Sequence, residues 1–249
     1  MKILISGITG FIGRYIANRL ISQTNHTVIG IARKKVSHKT PYKIFYFDLA
    51  NENEFSEKVD VIIHAAAQSP ADGILTHDYV SSNINATLNL IQLAKQNNIN
   101  RIIYLSAISI YGSPGQSVID ENSPIISPSP YGMSKFMCEL LLNDESLWLS
   151  SIVLRLPGVI GKGAKTPWIA TLAQRMSNNE NISIYNPNAL FNNIVCISDL
   201  ADFIINLIHG SHFGFKVYTL ASKDPLTISD TVNTLKQSIS SQSRINHLY

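Results

Sequence analysis

Residues 2–13 read KILISGITGFIG, and the fold turns on how this stretch is read. Lys2 to Ser6 is a short β-prone run that passes directly into Gly7, Gly10 and Gly13, with two residues between each pair. From Phe11 to Ile21 the apolar residues recur at helical spacing. A strand turning through glycines into a helix suits the pyrophosphate of a dinucleotide. Glycine permits the tight turn and close approach of backbone N–H groups, and the helix N-terminus adds the positive end of its dipole. Gly7, Gly10, Phe11, Ile12 and Gly13 are therefore candidate cofactor contacts, and the position directly after a first strand favours this over an ordinary turn.

Working outward, β-rich apolar runs alternate with stretches of helical period, the pattern of βαβ units and a parallel sheet. The candidate strands begin at Lys2, Thr27, Lys43, Asp60, Arg101 and Ser151. Several are apolar at both alternating positions, as strands covered by helices on both faces should be. Candidate helices run from Phe11 to Ile21, from Val80 to Gln96 with Ile84, Leu88, Ile91 and Leu93 inward, and from Tyr131 to Leu142. After about residue 156 the pattern becomes irregular, with short strands from Ile182 and Asn193. Ser198 and Asp199 are expected to cap the helix LADFIINLI, and Thr227 with Asp230 to start a last helix. The expected architecture is an α/β, Rossmann-like doubly wound parallel sheet over residues 1–156. A smaller, irregular, interwoven substrate lobe over 157–249 completes it.

Composition narrows the function. Twenty basic against seventeen acidic residues give a formal charge of +3, and the longest basic run is Arg33, Lys34, Lys35, so nucleic acid is not an expected partner. Cys138 and Cys196 have no metal-ligand spacing, which argues against a zinc site or disulfide scaffold and fits a reducing cytoplasm. No export signal or membrane span is expected.

About twenty residues past Gly13 the second strand ends in GIARKK, where a protein preferring NAD would usually carry an acid for the ribose hydroxyls. Here Ala32 is followed by Arg33, whose guanidinium can grip a 2′-phosphate, with Lys34 or Lys35 in support. NADP is the expected cofactor, with NAD as the other possibility. The alternative is a solvated charge run at a strand end.

SPYGMSKFMCELLL places Tyr131 and Lys135 four residues apart at the start of a helix, on one face. A phenol with an ordinary pKa near ~10 is a poor base, but a neighbouring ammonium and an oxidised nicotinamide both favour the phenolate. Tyr131 can then exchange a proton with a hydroxyl while hydride moves to or from the cofactor. The Lys135 ammonium would also hold the nicotinamide ribose.

With the glycine turn, the segments DL at Asp48, HAAA at His64, NINAT at Asn83, YLSAISIYG, YGMSK and RLPGVIG resemble the extended short-chain dehydrogenase/reductase family, in its sugar-nucleotide epimerase/dehydratase branch. The likeness runs from Lys2 through FNNIVCISDLADFI. It implies that Asp48 and Leu49 lie near the adenine, that Ala65 and Ala66 line the cofactor cleft, that Asn83 belongs to the cofactor site, and that His64 is a packed residue. It also implies a homodimer through the Val80 and Tyr131 helices. One departure stands out. Four residues before Tyr111 the family usually has a hydroxyl that orients the substrate oxygen, and this chain has Ala107. Ser106 and Ser109 flank the position; Ser106 should face the other side of the strand, leaving Ser109 or a water as the substitute.

The family's dehydratases usually carry an Asp-Glu pair where this chain has Ile108 and Ser109, which disfavours dehydration. Arg33 tilts the expectation toward reduction of a keto-sugar, with epimerisation close behind. Sugar and phosphate contacts are expected from the QSPADG loop at Gln68 and from Lys162, Asn192 and Asn193, each of which reads equally well as an ordinary loop residue. The chain ends earlier than the family usually does, so the substrate lobe is expected to be small or cut short. The rival from another class is a non-catalytic dinucleotide-binding sensor or regulator, against which the presence of both Tyr131 and Lys135 argues. A hydrolase lacks its Gly-x-Ser-x-Gly elbow.

Overall fold

The computed structural model describes residues 1–51, 54–165, 167–210 and 212–248. In chain order the strands are β1 (Lys2–Ser6), β2 (Thr27–Ala32), β3 (Lys43–Tyr46), β4 (Val61–His64), β5 (Arg101–Ala107), β6 (Ser150–Leu156), β7 (Gly158–Ile160), β8 (Ile182–Tyr185), β9 (Leu190–Phe191), β10 (Ile194–Cys196), β11 (Phe215–Thr219), β12 (Leu226–Thr227) and β13 (Ile245–Leu248). The α-helices are α1 (Phe11–Gln23), α2 (Thr76–Tyr79), α3 (Ala86–Gln96), α4 (Pro130–Asp144), α5 (Trp168–Ser177), α6 (Ile197–His209) and α7 (Ile228–Ser238). Among the described residues, no helix is long and apolar enough to cross a membrane.

One compact unit comprises Met1–Leu156 with Leu200–Thr219. Its seven strands lie in the order β11-β6-β5-β4-β1-β2-β3, and every pairing is parallel. This is the Rossmann-like sheet expected from the alternation of apolar runs. β1 and β4 are buried almost throughout because helices cover both faces, whereas the edge strand β3 is half-exposed. Ile62, Ile102, Tyr104 and Val153 of the sheet pack with Leu90, Ile91 and Leu93 of α3 and Cys138 and Leu142 of α4. The reversal of strand order between β1 and β4 opens a crevice at their carboxyl ends, where such folds bind ligands.

The helix expected over Val80–Gln96 is interrupted. Val80–Asn85 forms a π-helical segment between α2 and α3. A π turn adds a residue and rotates the face that follows, so Leu88 points outward and Leu90 takes its place in the core. Another expectation also fails: α6 begins at Ile197, so Ser198 and Asp199 lie in its first turn and do not precede it. Thr227 caps α7 as expected, its Oγ1 accepting from the Asp230 N–H at 3.0 Å.

The second unit comprises Pro157–Asp199 and Leu220–Tyr249. It contains three two-stranded pairs, β7 with β10, β9 with β12, and β8 with β13. Leu172, Met176, Ile182, Ile184 and Val232 make its own small core.

Candidate functional site

β1 is buried and passes directly into Gly7, whose φ of +69° lies in the left-handed region. A Cβ there would come within 2.7 Å of the Ala66 backbone, and one at Gly13 within 2.4 Å of the Gly7 carbonyl oxygen. Glycine at both points lets β1, α1 and the loop after β4 close together. Gly10 is the N-cap of α1, and no side chain caps that end or places an acid in its first turn. The opening N–H groups of Phe11, Ile12 and Gly13 belong to the turn whose donors have no intrahelical acceptor. Beside them lies a cleft of about 350 Å³ lined by Gly7, Gly10, Arg33, Lys34, Asp48, Leu49, Ala65 and Ala66. The cradle that a Cβ would fill and the uncapped helix end together fit the pyrophosphate of a dinucleotide, and Arg33 and Lys34 stand at the same cleft. Thr9, Gln68 and Ser82 also line the cleft. Ser82 carries no motif that would mark it, and it owes its placement to the π segment.

A buried polar chain holds the loop after β4. Ser6 Oγ accepts from the Ala66 N–H at 3.2 Å and lies 2.7 Å from His64 Nδ1. Thr87 Oγ1 donates to the Asn83 carbonyl at 2.7 Å and accepts from His64 Nε2–H at 3.1 Å. This bookkeeping assigns the neutral Nε2–H tautomer, and burial, aided by the Lys135 charge, pushes the imidazole down to about 3. Asn83 is 2% exposed. Its Oδ1 accepts from the Gln68 N–H at 2.7 Å and its Nδ2 donates to Ser134 Oγ at 2.9 Å. The structure thus uses Asn83 to pin the Ala65–Gln68 loop to α4.

Ser129 and Pro130 start α4, with Ser129 Oγ accepting from the Gly132 N–H. Tyr131 packs its ring on Tyr79, centroids 5.8 Å apart. Lys135 is 2% exposed and holds its Nζ 4.3 Å from the centroid of the Tyr104 ring. Burial pushes the Lys135 ammonium down to about 8. Burial also pushes the Tyr131 phenol up to about 12, so the free protein holds the neutral phenol and not the expected phenolate. A Cβ on Gly132 would lie 2.2 Å from the Ser109 carbonyl oxygen, which brings Ser109 against the first turn of α4. The Ser109 Oγ is buried without a hydrogen-bond partner among the described residues. Ser106 behaves otherwise: its Oγ donates to Glu139 in a buried cluster with Arg155, which removes it from the candidate set.

A model of the NAD dependent epimerase/dehydratase family matches residues 3–217. The chain belongs to that family. As a family member it is 25% identical to Protein CapI of Staphylococcus aureus over its whole length and 86% of that protein. It is 31% identical to the uncharacterized UDP-glucose epimerase YtcB of Bacillus subtilis over 65% of this chain and 57% of that one. The UDP-glucuronic acid 4-epimerase of Bacillus cereus, solved in complex with NAD, has the same fold, with a TM-score of 0.86 at 22% identity over all of this chain and 86% of that one. The CapI alignment spans 294 positions against 249 residues here, so that relative carries inserted residues within the shared span.

In this epimerase/dehydratase family member, Lys162 and Asn193 of the second unit are exposed, while Asn192 spends its Nδ2 on the Ser222 carbonyl at 3.3 Å. Tyr79, Glu139 and Arg155 were not anticipated from the sequence, because their partners are distant along the chain.

Proposed function

We propose that this chain is an NADP(H)-dependent oxidoreductase acting on a nucleotide-linked sugar, with Tyr131 as proton carrier and reduction of a keto-sugar as its reaction. The observation that carries this reading is the buried Lys135 one turn from Tyr131, with the unpartnered Ser109 hydroxyl against the same turn. Bound at the crevice, a reduced nicotinamide would supply the hydride. Tyr131 gives its phenolic proton to the oxygen that becomes the alcohol, and the Lys135 ammonium stabilises the phenolate that remains until solvent returns a proton. Ser109 Oγ–H donates to the same oxygen, the task an Ala107 methyl cannot perform. The Gly7–Gly13 turn holds the pyrophosphate, Asp48 and Leu49 flank the adenine, and Arg33 with Lys34 takes the 2′-phosphate, since both line the cleft.

Epimerisation is the second reading, favoured by relatives and neighbours called UDP-sugar epimerases. We further propose a homodimer through the outer faces of α3 and α4, where Leu88, Met133, Met137 and Leu140 are exposed, and a cytoplasmic setting, which two unpaired cysteines suit.

The deciding experiment follows absorbance at 340 nm with UDP-linked keto-sugars. Net oxidation of NADPH is expected, and its loss by about 10²–10⁴-fold in Tyr131→Phe with cofactor still bound. Epimer formation without net absorbance change establishes the second reading, and equal affinity of wild type for NADH and NADPH removes the role given to Arg33.

A further inference from the structure

We propose that the buried Glu139–Arg155 pair is a positioning device for Lys135: it fixes how far along β5 the helix α4 sits, and so where the ammonium is held. The proposal rests on the reading of Lys135 given above. Tyr104 and Ser106, two apart on β5, share one face, and Lys135 and Glu139, four apart on α4, share another. Lys135 lies over the Tyr104 ring, and Glu139 accepts from Ser106 Oγ. Lys135 and Glu139 lie one helical turn, about 6 Å, apart on α4 and both reach β5, so a shift of the helix along the strand displaces both contacts at once.

Arg155 makes that register rigid. It is 6% exposed, its Nη2 donates to Glu139 Oε2 at 2.8 Å and its Nε to the same oxygen at 3.2 Å. Its Nη1 donates to Tyr111 Oη at 2.7 Å and to the Glu121 carbonyl at 3.2 Å, and Tyr111 Oη pairs with Thr219 Oγ1 at 2.7 Å. One guanidinium thus ties β6 to α4, to the Ile108–Tyr111 turn and to the loop before α4. Stability alone does not call for this arrangement, because desolvation offsets much of a buried pair's attraction and apolar residues of similar volume often do as well. A planar fork instead fixes direction, which a lysine or a methionine cannot. Glu139, Arg155 and Lys135 all lie outside the lining of the cleft beside the glycine turn, and the pair bears on Lys135 through the helical turn that Glu139 shares with it.

The test uses full-length protein with lysines labelled by ¹³C at Cε, the Lys135 signal being assigned by Lys135→Arg. A lysine held over the Tyr104 ring gives an upfield ring-current shift in wild type, and this needs neither cofactor nor substrate. In Glu139→Leu/Arg155→Met, folded by circular dichroism, the shift is expected to vanish and NADPH affinity to fall about tenfold, ~1.4 kcal/mol. Should the double variant not fold, Arg155→Lys, which keeps the charges but not the fork, is expected to move the signal toward that of an ordinary lysine. A Lys135 shift unchanged in either folded variant, or absent from wild type, overturns the proposal. Absence of turnover on every keto-sugar overturns the proposed function and leaves this result intact.

Discussion

At the scale of single residues, His64 and Ser109 show how burial assigns roles. His64 is fully buried, with both ring nitrogens bonded, so it must stay neutral to stay folded. Its folded pKa of about 3 lies below the ordinary 6.5, so the unfolded chain binds more protons between those values. Stability contributed by this group is complete above pH 6.5 and is lost as pH falls toward 3, by up to roughly 5 kcal/mol. Urea unfolding at pH 7, 5.5 and 4.5 is expected to show that decline, and His64→Gln to flatten it while costing about 1–3 kcal/mol at pH 7 through broken bonds. Ser109 is the opposite case, a buried hydroxyl with nothing to bond. Leaving such a group unpaired costs about 1–3 kcal/mol, a debt that a substrate oxygen would relieve. Ser109→Ala is therefore expected to raise thermal stability slightly while lowering turnover by a factor of about 10²–10³, with NADPH affinity unchanged. Unchanged turnover in that variant, measured on a confirmed substrate, would remove Ser109 from the mechanism.

Among elements, the β1–α1 turn is where geometry is least forgiving. Gly13 has ordinary helical backbone, yet an added Cβ would meet the Gly7 carbonyl oxygen at 2.4 Å and backbone cannot step aside cheaply. Gly13→Ala is expected to cost about 1–3 kcal/mol in chemical denaturation and to abolish cofactor binding. Gly73→Ala is the control, since its φ of +78° carries strain but nothing stands within 4 Å; it should cost about 1 kcal/mol and leave binding intact. This turn was legible in the sequence because its chemistry is local, strand, glycines and helix within twelve residues. The parallel sheet was legible for a similar reason, since strands buried on both faces are apolar at successive positions. The π segment was not. Leu88 and Leu90 are equally apolar, and an extra residue in the turn before them decides which faces the core. That turn also carries Asn83, which bonds Gln68 and Ser134, the latter 51 residues away, and no periodicity reports such partners. Glu139 read as one more helix residue for the same reason, its cation Arg155 lying sixteen residues away on the next strand.

For the whole molecule, the open question is what covers the outside of α3 and α4. Met133, Met137 and Leu140 are each at least 40% exposed at spacings of four and three along α4, and Leu88 is 43% exposed on α3. Apolar residues in such a row mark an association surface more often than a solvated one. A second copy is the simplest occupant, because a two-fold axis sets the same patch against itself without any further specificity. A stable interface buries about 800 Å² per partner, which two helices of eleven and fifteen residues can supply. Sedimentation velocity at micromolar concentration is therefore expected to give a dimer, and Met137→Glu to give a monomer, because it sets a carboxylate in the middle of the apolar row. None of these side chains lines the cofactor cleft, so the monomer should still bind NADPH. A monomeric wild type at every concentration, or a dimer that survives Met137→Glu together with Leu140→Glu, would place the subunit contact elsewhere and leave this row of methionines without a partner.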